Sequence, residues 1–238
     1  MIKLYVLVLA MLTGVIMADE FIPKLKETAQ TSLGLVPANW KMISSVMGDL
    51  NKDGLEDLVF VIQNTNLEKI QIDKEFIGNS TDLNPRVLAI YFWNPKLNRF
   101  EKQMQKNNLI PLKDAPNIVD PFDSSDGIEV TKKGILKIRF RFFATMGSWA
   151  TSGHLYKFRY QNNHFSLIGY DRYELRRNTG ETIDYSIDFL SKRMSMSESN
   201  IERDKPKSVK WTNFELKKLK TLNSFDTFQE WEFMGLNL

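Results

Sequence analysis

Residues 48–62 read GDLNKDGLEDLVFVI. The first half sets Asp49, Asn51, Asp53 and Asp57 at odd spacings around Gly54, and the second half is an unbroken apolar run. A short β-rich run bounded by turn formers reads as a strand. One without polar alternation reads as a strand covered on both faces. This junction of loop and strand predicts a mainly β protein, built from antiparallel sheets in a meander.

The loop itself has the chemistry of a hard-cation site. Calcium takes 6–8 oxygen ligands at about 2.3–2.6 Å. Alternating residues of a tight loop turn their side chains to one centre, and Asp49, Asn51 and Asp53 supply that first arc. Gly54 permits the sharp turn. The carbonyl of Leu55 would add a backbone ligand, and Asp57 would close the site. Three carboxylates and an amide suit Ca2+ better than zinc, which prefers nitrogen and sulfur. A helical calcium hand is excluded, because its twelfth position needs a bidentate Glu and here that position is Phe60, inside a strand. The alternative is an acidic turn without an ion, since Asp and Asn favour turns by themselves.

The pattern D-x-N-x-D-G-x-x-D leading into a strand resembles the calcium loop of FG-GAP or VCBS repeats, the integrin-α-like blade. The resemblance covers residues 40–104, including VLAIYFWN, a turn at 94–98 and RFEKQMQ. It implies one propeller-blade-like unit with calcium on Asp49, Asn51, Asp53, Leu55 and Asp57. The motif occurs once, and residues 64–84 form a long polar insertion, so a full ring of blades is not expected.

Working outward, RVLAIYFWN at 86–94 is a second apolar strand, and residues 134–143 alternate apolar with basic side chains. Residues 154–170 read as a hairpin turning at Asn162-Asn163. Residues 171–176 and 182–190 read as another around Asn178-Thr179-Gly180. The stretch 197–220 is charged and loosely patterned. Leu222, Phe225, Phe228, Trp231 and Phe233 would dock on a sheet. Ahead of the strands, Phe21, Ile22, Leu25, Ala29 and Leu33 recur at helical spacing, with Gly34 as a stop. They predict an amphipathic helix over 20–33, packed on the sheet.

Lys3 and the apolar run LYVLVLAMLTGVIMA at 4–18 have the form of a secretory signal cut after Ala18. Three segments follow: a signal peptide at 1–18, a unit with helix and calcium loop at 19–110, and a β-meander with an aromatic tail at 111–238, the last either separate or one continuous domain with the unit before it. The chain has 238 residues, a net charge of +3 and no cysteine. Its dispersed charges give no nucleic-acid signal. Without cysteine there are no disulfides, thiol nucleophiles or thiolate zinc sites. A periplasmic or secreted protein is expected, with no membrane contact beyond the signal. Its stability would rest on its core or on an ion.

Other chemistry is sparse. His154 follows GSWATSG, so Ser148 or Ser152 near it could form a nucleophile and base, though the G-x-S-x-G elbow is missing. Asp184 and Asp188 alternate with apolar residues and read as a wet strand face. Arg172, Arg176 and Arg177 with Tyr170 and Tyr173 form a basic-aromatic run suited to an interface. The expected function is non-enzymatic: a calcium-binding β-module whose partner is another protein. One specific version is a periplasmic immunity or inhibitor protein that neutralises a secreted toxin. The rival is an exported hydrolase with a pocket near His154.

Overall fold

The strand that follows the acidic loop is buried along its whole length from Asp57 to Gln63. The computed structural model describes residues 22–73, 80–202 and 208–238. The signal segment 1–18 and the start of the expected helix lie outside the described residues.

The first half holds β1 (Thr28–Ala29), β2 (Trp40–Gly48), β3 (Asp57–Asn64), β4 (Ile70–Ile72), β5 (Ser80–Asp82), β6 (Arg86–Asn94) and β7 (Arg99–Asn107). The second holds β8 (Ile128–Val130), β9 (Ile135–Phe143), β10 (Ala150–Gln161), β11 (His164–Arg176), β12 (Glu181–Asp188), β13 (Arg193–Asn200) and β14 (Ser208–Asn213). It ends in a small hairpin of β15 (Glu232–Phe233) and β16 (Leu236–Asn237). Five strands form one sheet in the order β1-β7-β6-β3-β2, and β8 to β14 form a second in chain order. Pairing is antiparallel throughout these sheets. Among the described residues the architecture is mainly β, with no ring of blades.

Strand side chains alternate between faces, and this sorts the core into two clusters. Val59, Val61, Leu88 and Ile90 face the large sheet and join Leu136, Ile138, Phe140, Tyr156 and Phe158 in one cluster. Leu58, Phe60, Ile62, Val87, Ala89 and Tyr91 face the other way, under Leu25 and Leu35 of the N-terminal segment. The first cluster draws on both sides of residue 110, so the two segments read from the sequence share one core.

The connection between the sheets is tied down by Arg86. Its guanidinium donates to the Pro111 carbonyl at 2.6 Å and grips Asp120 through both oxygens at 2.8 and 2.5 Å. Two hydrogen bonds to one carboxylate fix geometry as well as charge.

The expected helix over 20–33 gives way to extended chain. Over residues 23–29 the segment lies along β7, where Thr28 and Ala29 pair with Glu101 and Phe100, and Leu33–Leu35 then make a single 3-10 turn. Its backbone groups are taken by distant partners. Leu25 N–H donates to Gln105 Oε1 at 2.9 Å, and Lys26 carbonyl accepts from Tyr91 Oη at 2.7 Å. Covering the open edge of β7 outweighs a weak helical pattern, because an unpaired edge leaves a row of unmet backbone groups.

Elsewhere the hairpins form as expected. Asn162 and Asn163 both take positive φ, 51° and 61°, the conformation that a two-residue turn between twisted strands demands. The aromatic tail docks: Leu222 and Phe225 are fully buried, and the Phe228 ring lies 4.2 Å from that of Tyr156. The stretch from 197 differs. It contains the end of β13 and all of β14, which extend the large sheet.

Candidate functional site

The acidic loop joins β2 to β3 and is held by its own side chains. Asp49 accepts the backbone N–H of Asp53 through Oδ1 at 3.1 Å and that of Gly54 through Oδ2 at 3.0 Å. Asn51 Oδ1 also accepts from Asp53 N–H, at 3.0 Å, and its amide donates to Asp53 Oδ2 at 2.9 Å. Asp53 Oδ1 accepts the Leu55 N–H at 2.9 Å. Gly54 sits at φ 84°, where a side chain would be strained even though space is free.

Asp57 behaves differently from its three neighbours. It is completely buried. Its Oδ2 accepts from Leu50 N–H at 2.9 Å and Asn51 N–H at 3.3 Å, and Oδ1 accepts from Trp93 N–H at 3.2 Å. Burial pushes its carboxyl up to about 6, against the pull of those three N–H groups.

Asp49, Asn51 and Asp53 suit the first arc of a calcium shell, because a carboxylate oxygen that accepts one N–H keeps another lone pair. Asp57 suits a ligand role only by sharing an oxygen already used for the fold. Among the described residues no group of three or more His, Asp or Glu side chains stands together as a ready metal cage. If calcium binds, these residues would hold it, and its chemistry would be charge neutralisation.

His154 lies inside β10, not in a loop, and faces the core. Ser152 is two residues earlier on the same face, and its Oγ is 3.0 Å from His154 Nε2. Nδ1 is 2.8 Å from Tyr170 Oη, and Gln229 Nε2 approaches Nε2 at 3.4 Å. Burial first, then the Arg172 charge, pulls the imidazole down to about 4. It is therefore neutral at pH 7 and a weak base. Ser148 Oγ accepts the Ala150 N–H at 3.1 Å and lines the same cavity as Ser152. Ser152 lines a cavity of about 300 Å³ with Phe142, Thr151, Arg172 and Glu174.

The face of the large sheet turned away from the core carries a groove of about 730 Å³. Gly153 and Leu155 line it from β10, Asp171 and Tyr173 from β11, and Ser195 and Ser197 from β13. Val209 of the edge strand closes one side. Trp211 follows on the same face, 57 % exposed, with the Arg193 guanidinium 4.5 Å from its ring. Most charges at the groove are paired: Arg139 and Arg141 hold Asp126, and Asp171 holds Lys157. The sequence did not point to this groove, because β13 (RMSMSESN) sets methionines between serines and β14 (SVKWTN) is largely polar, and neither makes a strong apolar strand pattern.

The basic-aromatic run does not form one patch. Strand alternation sends Tyr170 and Arg172 to the core face and Tyr173 to the outer face. Arg177 folds back on Phe143, 4.3 Å from the ring, and donates to the Ala144 and Ser148 carbonyls. Asp184 and Asp188 lie on the wet face as expected, and Asp188 accepts the N–H groups of Leu190 and Ser191. Compared with known proteins, the chain matches no family model, no curated protein and no solved structure.

Proposed function

We propose that this chain is an exported, calcium-holding β-protein that acts by binding another protein, without catalysis. The outer face of β9 to β14 is its recognition surface. The observation that carries this reading is the groove with Tyr173 and Val209 at its border and Trp211 beside it. Tyr, Trp and Arg are the residue types that dominate binding energy at protein interfaces. The exposed edge of β14 offers a partner strand further backbone donors and acceptors.

The rest of the reading comes from the sequence. The 1–18 segment would deliver the chain to the periplasm or the medium. The acidic loop and the β2, β3, β6, β7 meander would form a single blade-like unit of FG-GAP or VCBS type, pinned by calcium. A toxin-neutralising immunity protein is a specific version of the same idea.

The test is capture of the mature protein's partner from periplasm or culture medium, with calcium and with EDTA. Wild type should retain a partner that Tyr173→Ala/Trp211→Ala protein loses. Equal recovery by both proteins would exclude this face.

The Ser152–His154 contact favours one rival, an exported hydrolase. Two residues apart on a strand share a face, so the contact alone requires no catalytic purpose. Ester hydrolysis by wild type that Ser152→Ala abolishes would establish the rival and displace the binding reading.

A further inference from the structure

A third pocket, about 310 Å³, opens where three pieces of chain meet: the acidic loop, the turn between β8 and β9, and β10. Its charged lining consists of Lys52, Lys132, Lys133 and Arg159, with Asp49 as the one carboxylate. Four cations face one anion. Among the described residues none of these four bases is ion-paired. The contrast with their neighbours is sharp. Lys137 is bonded to Glu129, Arg139 and Arg141 to Asp126, and Lys157 to Asp171.

Two further observations bear on the pocket. Arg159 Nε is buried and has no hydrogen-bond acceptor, although a buried donor without a partner is costly. Gly134 takes φ 69°, and a Cβ there would stand 2.6 Å from the Asp49 carbonyl oxygen. Only glycine lets the turn sit this close to the acidic loop, and that closeness brings Lys132 and Lys133 up to Lys52.

We propose that this pocket binds a phosphate- or sulfate-type oxyanion. The missing counter-charge is what the ligand supplies. A compact, multiply charged group engages donors arriving from three sides at once, whereas a peptide carboxylate engages one or two. The pocket shares no lining residue with the groove of the outer face, but it shares Asp49 with the acidic loop, so its occupancy is read without calcium.

Titration calorimetry of the full mature chain tests it, in EDTA and at constant ionic strength. The probes are sodium phosphate, sodium sulfate, glycerol phosphate and a glutamate-rich peptide, with chloride as the background. Saturable one-site binding of phosphate or sulfate is expected. Arg159→Gln and Lys132→Gln/Lys133→Gln should each weaken it by about tenfold or more, the worth of a charge-assisted hydrogen bond. Lys157→Gln, whose lysine is already paired, should leave it unchanged. Equal binding of glycerol phosphate assigns the group to a larger ester, and binding of the inorganic ions alone assigns it to the free ion. If Arg159→Gln perturbs folding, the exposed Lys52→Gln decides. No saturation, affinities equal across the variants, or tighter binding of the glutamate peptide overturns the proposal.

Discussion

Asp57 holds Trp93: a buried carboxylate oxygen accepts the Trp93 N–H at 3.2 Å while the other oxygen accepts from Leu50 and Asn51. One side chain thus joins the start of the acidic loop to the far end of β6. Asp57→Asn offers one acceptor oxygen and sets an NH2 among N–H donors. It should lower unfolding free energy by about 1–3 kcal/mol. An unchanged urea midpoint would contradict this role.

Calcium should raise the melting temperature and EDTA should lower it. A ligand at a hundred times its dissociation constant adds about 2.7 kcal/mol. Asp49→Asn/Asp53→Asn protein should show no calcium shift. Identical wild-type melts in both conditions, with no calcium in the purified protein, would exclude the ion.

His154 should make the fold sensitive to mild acid. Its folded value of about 4 lies below the ordinary imidazole value of 6.5, so the unfolded chain binds more protons between the two. Stability from this residue is full above pH 6.5 and falls as pH drops toward 4. A shift of that size corresponds to about 3 kcal/mol over the window. Urea unfolding at pH 7 and pH 4.5 should show a smaller difference for His154→Gln than for wild type. Equal differences would mean that carboxylates carry the whole effect.

Asp120→Ala should be more harmful than its half-exposed position suggests. It strips the counter-charge from Arg86, whose side chain is 2 % exposed. Removing one partner of a buried pair costs about 3–5 kcal/mol, and the exposure of Asp120 places this case near the lower end. Arg86→Met/Asp120→Ala should recover part of the loss. A double-mutant cycle with no coupling would show that the pair is incidental.

The sequence spoke most clearly where one physical signal dominated. LVFVI and VLAIYFW are apolar without interruption, and β3 and β6 are covered on both faces. Asn162-Asn163 marks a primed turn and forms one. It misled where the partner lay far away in the chain. Ile22 to Leu33 has helical spacing, yet the β7 edge claims its backbone. Met194 and Met196 alternate with serines too weakly to announce β13. The acidic loop was readable as a turn, but the inward bonds of Asp57 depend on Trp93, 36 residues on. The groove and the basic pocket were hidden for the same reason, since each gathers residues from elements that pairing alone brings together.

The double cover of β3 also sets an order of unfolding. Its amides lie between two neighbouring strands, and apolar layers close both sides. They should open only with global unfolding and be the last to exchange their protons for deuterium. The edge strand β14 is exposed along most of its length and should exchange early. The part of the chain offered to a partner is then the part that can rearrange to meet it, while the strand beside the acidic loop stays fixed.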